Sequence, residues 1–155
     1  MADLAGGACG ADAKDSCNGI WSAHNGFFVD YTKGAAKKDQ AMQDKAVKDL
    51  TTVYVPQFTD FIVGATGLPK DAVTSLVTDH VLQTKAVVDA QAKKDWKAAY
   101  VAIRAAYAHM QRIGDALAPA IAAKFPDKFP GDPSNKGVDL RVGLNQLLRE
   151  HLYLA

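Results

Sequence analysis

The chain has 155 residues, of which 48% are hydrophobic and 23% are charged, a balance typical of a single globular domain with a buried core. Its 18 Lys and Arg residues nearly match its 17 Asp and Glu residues, so no basic surface that would favour nucleic acid is expected. The apolar runs are only a few residues long, so the sequence predicts no membrane span.

The first 16 residues are small and polar, and they are predicted to form a flexible tail before a helical domain at 17–155. Cys9 and Cys17 lie in or beside this tail, and a loop of this length can close as a disulfide. A disulfide would favour an extracytoplasmic location, whereas two free thiols are the alternative. Neither cysteine belongs to a CxxC unit, which argues against zinc-finger and thioredoxin-like sites.

Two helices are predicted after the tail. The first runs from about Asn18 to Lys33 and is expected to stop at Gly34. Its apolar residues recur three and four positions apart: Ile20, Trp21, His24, Phe27, Phe28 and Tyr31. The second spans about 38–63, and Pro56 inside it should produce a kink because proline has no N–H to donate.

Three further helices follow. Pro69 begins the third, which should end near Lys93, and Asp95 is the predicted cap of the fourth. The apolar stripe of the fourth includes several aromatic residues and is predicted to face the core: Trp96, Tyr100, Ile103, Tyr107, Met110, Ile113 and Leu117. A loop at 126–137 precedes the last helix, which opens near Val138. The pattern predicts an all-α fold, an antiparallel bundle of about five helices with proline kinks.

The four histidines fall on four different predicted helices. His24, His80 and His151 lie in line with the apolar residues of their helices, and His109 lies on the flank of its stripe. If these side chains converge inside the bundle, they could bind copper or zinc, the metals we consider first for neutral imidazoles here.

Two other interpretations of the histidines stay open. Each one can be an ordinary core residue, bonded to a tyrosine or to a backbone carbonyl group. Alternatively, a histidine cluster that becomes charged near pH 6 can act as a pH sensor. The spacing of the carboxylates does not match a di-iron motif, and no phosphate-binding loop or nucleophile elbow is present. An enzyme is therefore the less favoured class.

The last predicted helix carries Leu140, Leu144, Leu147 and Leu148 and continues to Ala155 without a glycine cap. An apolar helix end normally packs on something. We therefore expect either that the natural chain is longer or that a neighbouring subunit covers this helix, giving a homo-oligomer or polymer.

Three stretches together resemble a helical module that is found, often as tandem repeats, in secreted or cell-surface bacterial proteins. They are residues 21–31 (WSAHNGFFVDY), 105–110 (AAYAHM) and 140–151 (LRxxLxxLLxEH). The resemblance covers most of residues 18–155 and implies a surface location. In that family the Glu-His helix opens the module, whereas here it comes last, so a helix supplied by another copy is expected.

The sequence therefore predicts an extracytoplasmic, self-associating structural or binding module. A metal-binding bundle that uses His24, His80, His109 and His151 is the first alternative, and a pH-sensing bundle is the second.

Overall fold

The computed structural model describes residues 6–7 and 10–154, with side chains described as far as residue 152. Within this part of the chain there are helices and no strands, which confirms the predicted all-α bundle. The helices are α1 (Ala11–Lys37), α2 (Gln40–Asp49), α3 (Val55–Thr66), α4 (Lys70–Ala92), α5 (Trp96–Lys124) and α6 (Lys136–Leu154). A π-helical segment, Leu50–Tyr54, joins α2 to α3, so these three pieces form one continuous rod.

Helix α1 is longer at both ends than the sequence predicts. It begins at Ala11, so residues 11–16 are helical and do not belong to a tail. It also runs through Gly34 to Lys37, and its C-cap residue, Lys38, has a left-handed conformation with φ 56°. Gly34 is a packing residue: a Cβ there would lie 3.0 Å from the backbone nitrogen of Gln43 in α2. Glycine thus allows the α1–α2 hairpin to close.

The π-helical segment lies just before Pro56, the position at which the sequence predicts a kink. Pro56 cannot donate a backbone hydrogen bond, and the Val55 N–H just before it donates five residues back to the Leu50 carbonyl. The hydroxyl groups of Thr51 and Thr52 bond to backbone carbonyls of the preceding turn, which also favours distortion of a helix. One turn of the helix therefore contains an extra residue, and the helix continues without a break.

The predicted helix boundaries around α4 are confirmed within two or three residues. Gly67 ends α3 with φ 76°, and Pro69 immediately precedes α4. The Asp95 carboxylate accepts a hydrogen bond from the Ala98 N–H, as the predicted N-cap of α5 should. Such caps explain why both turns are short and why α3, α4 and α5 lie next to each other.

The hydrophobic core lies between the rod α2–α3 and helix α4, with α1 packed against it. It is formed by Leu50, Tyr54, Val55, Phe58, Ile62, Val73, Val77 and Val81. The Tyr31 hydroxyl donates to Asp89, which also pairs with Lys85, and this contact ties α1 to α4. No described helix is long and apolar enough to span a membrane.

The predicted core stripe of α5 is only partly confirmed, since Leu117 packs against the core whereas other members are exposed. Trp96 is 58% exposed and Tyr100 is 50% exposed, and Met110 also lies at the surface, whereas Ile113 is buried. Trp21, another predicted core residue, is 41% exposed. Helix α5 packs on α4 through a face that contains Ala99, His109 and Ile113. The small residues beside the aromatic stripe allow this closer helix contact, which leaves the stripe outside.

Candidate functional site

His24 lies on α1 inside a shell of aromatic rings. It is 6% exposed, and its ring lies against Trp21, Phe28 and Tyr54 at centroid distances of 4.9, 5.0 and 4.5 Å. Its Nδ1 lies 3.3 Å from the Asn25 side-chain oxygen, and its Nε2 is buried without a protein hydrogen-bond partner. Burial lowers the pKa of His24, because the charged form loses its hydration.

His80 on α4 stacks on His24 across the helix interface. The two ring centroids are 5.6 Å apart and the rings are nearly parallel. Burial, together with the nearby imidazoles of His24 and His109, lowers the pKa of His80 to about 4. Its Nδ1 is buried and has no protein partner. Both rings are therefore neutral near pH 7, and adding a proton to either would be costly.

His109 on α5 is 3% exposed, and its Nε2–H donates to the Leu76 carbonyl oxygen at 2.8 Å. This bond links α5 to α4 and matches the interpretation of a core histidine bonded to a backbone carbonyl. We call His24, His80 and His109 the histidine cluster.

His151 does not belong to the histidine cluster. It is exposed in the last turn of α6, so the structure brings together three of the four predicted ligands and leaves the fourth apart. Among the described residues, no group of three or more His, Cys, Asp or Glu side chains could hold a metal ion. Copper or zinc binding stays a prediction, and the geometry adds no support to it.

Cys17 on α1 is a free, buried thiol, and burial raises its pKa. Its predicted disulfide partner, Cys9, lies outside the described residues, so the disulfide stays a prediction.

Tyr54 contacts the histidine cluster, and the sequence did not reveal this role. It is 1% exposed at the end of the π-helical segment, and its ring packs on both His24 and Phe58. Burial raises the pKa of Tyr54, so its hydroxyl stays protonated. The sequence signal for the π-helical segment was the threonine pair Thr51–Thr52 before Pro56. Such segments often occur beside functional residues, so the signal pointed to this part of the chain.

Helix α6 turns its more polar face towards α5. Val138, Val142 and Gln146 line the seam between the two helices, and Glu150 pairs with Arg104 of α5 at 2.6 Å. The seam is loosely filled, since two cavities of about 470 and 530 Å³ lie along it or at its end beside the preceding loop. Close packing is therefore poorer here than in the core.

The opposite face of α6 carries its leucines, which point away from the bundle. They are 54% to 79% exposed, and together we call them the leucine stripe: Leu140, Leu144, Leu147, Leu148 and Leu152. An amphipathic helix normally buries its most apolar stripe, and α6 does the reverse. The stripe is thus an exposed hydrophobic patch of the kind that marks interaction surfaces.

A second exposed apolar surface lies between α4 and α5. Its lining is His80, Thr84, Val87, Val88, Ile103, Ala106, Tyr107 and Met110, which we call the α4–α5 groove, with a volume of about 270 Å³. No residue of α6 lines it. The groove is apolar apart from Thr84, His80 and the Tyr107 hydroxyl, so its surface favours an apolar occupant.

Comparison of the chain with protein families, with curated proteins and with solved structures finds no match. The resemblance to a surface-protein module therefore stays a prediction.

Proposed function

We propose that this protein is a self-associating helical module, and that the leucine stripe of α6 is the surface through which copies assemble. The observation that carries this proposal is the orientation of α6, whose five leucines face away from its own bundle. An extracytoplasmic location belongs to the same proposal and is supported by the resemblance to surface modules.

The energy available from the leucine stripe is large enough to support association. Full burial of one leucine side chain contributes about 1.5–3 kcal/mol, so five leucines that are more than half exposed offer roughly 5–10 kcal/mol per chain. The loss of translational and rotational freedom on association costs roughly 4–15 kcal/mol. An interface that buries two stripes can therefore exceed this cost.

A second copy is the partner that this surface favours. Leu140, Leu144 and Leu147, followed by His151, lie four, three and four residues apart. This is the spacing with which one helix packs on another. Most soluble oligomers are homo-oligomers with closed symmetry, so both copies can bury their stripes in one assembly.

The test is the mass in solution over a range of protein concentrations, measured by sedimentation or light scattering. We expect the wild-type chain to assemble and the double variant Leu144→Asp/Leu147→Asp to be a monomer of unchanged helicity. Arg149→Asp is the matched control, because it adds one carboxylate to the same helix away from the stripe and should leave assembly intact. A wild-type chain that stays monomeric at high micromolar concentration contradicts the proposal.

A pH-sensing bundle is a second candidate, favoured by the stacking of His24 on His80. The imidazoles of buried His24 and half-buried His80 lie 5.6 Å apart, each with an unpartnered nitrogen, and both cannot accept protons without repulsion or rearrangement. The groups facing His80 are His24 on α1 and His109 on α5. Comparison of helicity and mass at pH 7.5 and pH 5 tests this idea, and identical values at both contradict it.

A further inference from the structure

We propose that the α4–α5 groove is the receiving site for the leucine stripe of a second copy of the chain. This inference rests on the proposed self-association and names the surface that the stripe contacts. The alternative within the same proposed function is a zipper in which the α6 helices of two copies pair with each other.

The apolar surface of α5 continues beyond the groove and matches the stripe in spacing. Trp96, Tyr100, Ile103, Tyr107 and Met110 follow one another four and three residues apart, as do Leu140, Leu144 and Leu147 in α6. Trp96 and Tyr100 are at least half exposed. A surface that follows the helix axis in this way suits the ridge of another helix.

The two surfaces also match in length. At 1.5 Å per residue, the α5 surface from Trp96 to Met110 extends about 21 Å. The leucine stripe from Leu140 to Leu152 extends about 18 Å on the same basis. One docked helix can thus cover most of the exposed aromatic and aliphatic side chains of α5.

The shapes of the two surfaces favour docking of the stripe in the groove. The groove is shallow and lies between two helices, with side chains on both walls, Val88 from α4 and Ile103 from α5. The stripe is a convex row of leucines, and convex and concave apolar surfaces fill each other's space. A zipper between two α6 helices would bury the leucines and leave the groove open, whereas docking covers both surfaces in one contact.

The weak hold of α6 on its own bundle fits this arrangement. Cavities occupy its seam with α5, and the loop before it contains Pro126, Pro130, Pro133 and Gly131, the last with φ 117°. An arm that is loosely packed at its base can adjust its angle when its outer face docks on a neighbour.

The experiment uses two complementary variants of the full chain. The stripe variant is Leu144→Asp/Leu147→Asp, and the groove variant is Ala106→Glu/Met110→Glu, with Ala105→Glu as a control at an exposed position of α5. We expect each double variant alone to lose association by at least ~100-fold. Mixed one to one, they should form a complex, because the stripe of the groove variant still fits the groove of the stripe variant.

The outcomes separate the inference from the proposed function. If the groove variant assembles like the wild type and the stripe variant does not, the groove is not the receiving site. Self-association through the stripe is then still supported. Failure of the mixture to assemble also overturns the groove as the receiving site. A monomeric wild-type chain overturns both proposals.

A cross-linking measurement does not depend on how the groove variant folds. A photoreactive phenylalanine analogue is placed at position 147, and equal amounts of isotopically light and heavy chains are mixed. We expect mixed-isotope cross-links from α6 to peptides containing residues 80–88 or 103–110. Cross-links that join α6 only to α6 contradict the proposal that the groove is the receiving site.

Discussion

The two halves of the bundle use the same residue types in opposite ways. Around α2, α3 and α4, apolar side chains such as Leu50 and Val81 are 1% exposed. On α5 and α6 several apolar side chains at equivalent spacings, among them Tyr100 and Leu147, are at least half exposed. Hydrophobic periodicity therefore identifies which face of a helix is apolar, but the protein buries one set of these faces in its core and leaves the other set exposed.

The sharpest test of this comparison is one substitution made in both halves. Leu50→Ala should lower the free energy of unfolding by about 2–5 kcal/mol, because it removes a fully buried side chain and leaves a cavity. Leu147→Ala should change it by less than about 0.5 kcal/mol in dilute, monomeric protein, since this side chain is 64% exposed. Urea unfolding of both variants measures the difference, and equal losses would mean that α6 belongs to the folding core.

The second test concerns the pH dependence of the core half. His80 has its pKa lowered from 6.5 to about 4 by burial and by its two neighbouring imidazoles, so the unfolded chain binds a proton before the folded one does. The contribution of neutral His80 to the free energy of unfolding is fully present above pH 6.5. It is lost as the pH falls towards 4, and the loss is roughly 3 kcal/mol for a shift of this size.

The measurement is urea unfolding at pH 7.5 and pH 4.5 for three proteins. His80→Gln should flatten the acid loss seen in the wild type. His151→Gln should leave that loss unchanged, because His151 is exposed in the last turn of α6. A wild-type profile reproduced by His80→Gln would show that other groups cause the acid loss.

A third test compares two helical glycines. Gly34→Ala should lower the free energy of unfolding by about 1–3 kcal/mol, because a Cβ would lie 3.0 Å from the backbone of α2. Gly64→Ala should raise it by about 0.5–1 kcal/mol, since nothing lies within 4 Å of that Cβ and alanine favours helix. Thermal unfolding distinguishes the two signs, and a stabilising Gly34→Ala would contradict the close α1–α2 contact.

The smallest expected effect is at the C-terminal end of α6, where Glu150 pairs with Arg104. Arg104→Ala removes the pair with Glu150, and because Arg104 is 66% exposed the loss should stay below about 1 kcal/mol. Its effect should be local, with faster amide hydrogen exchange in α6 and unchanged exchange in α3 and α4. Faster exchange throughout the bundle would mean that α6 is part of the same cooperative unit as the core.

The sequence by itself determined the helices and most of their limits, because periodicity, Pro69, Gly67 and the Asp95 cap act within a few residues along the chain. It also placed His24, His80 and His109 on faces that do meet. Gly34 was misjudged as a stop, because its role depends on the approach of α2.

Only the tertiary structure decided which apolar faces pack together. The stripes of α5 and α6 look like core stripes in sequence, since spacing records that a face is apolar but not what covers it. The π-helical segment and the separation of His151 from the other histidines likewise follow from how whole helices fit against one another, a relation that local spacing does not contain.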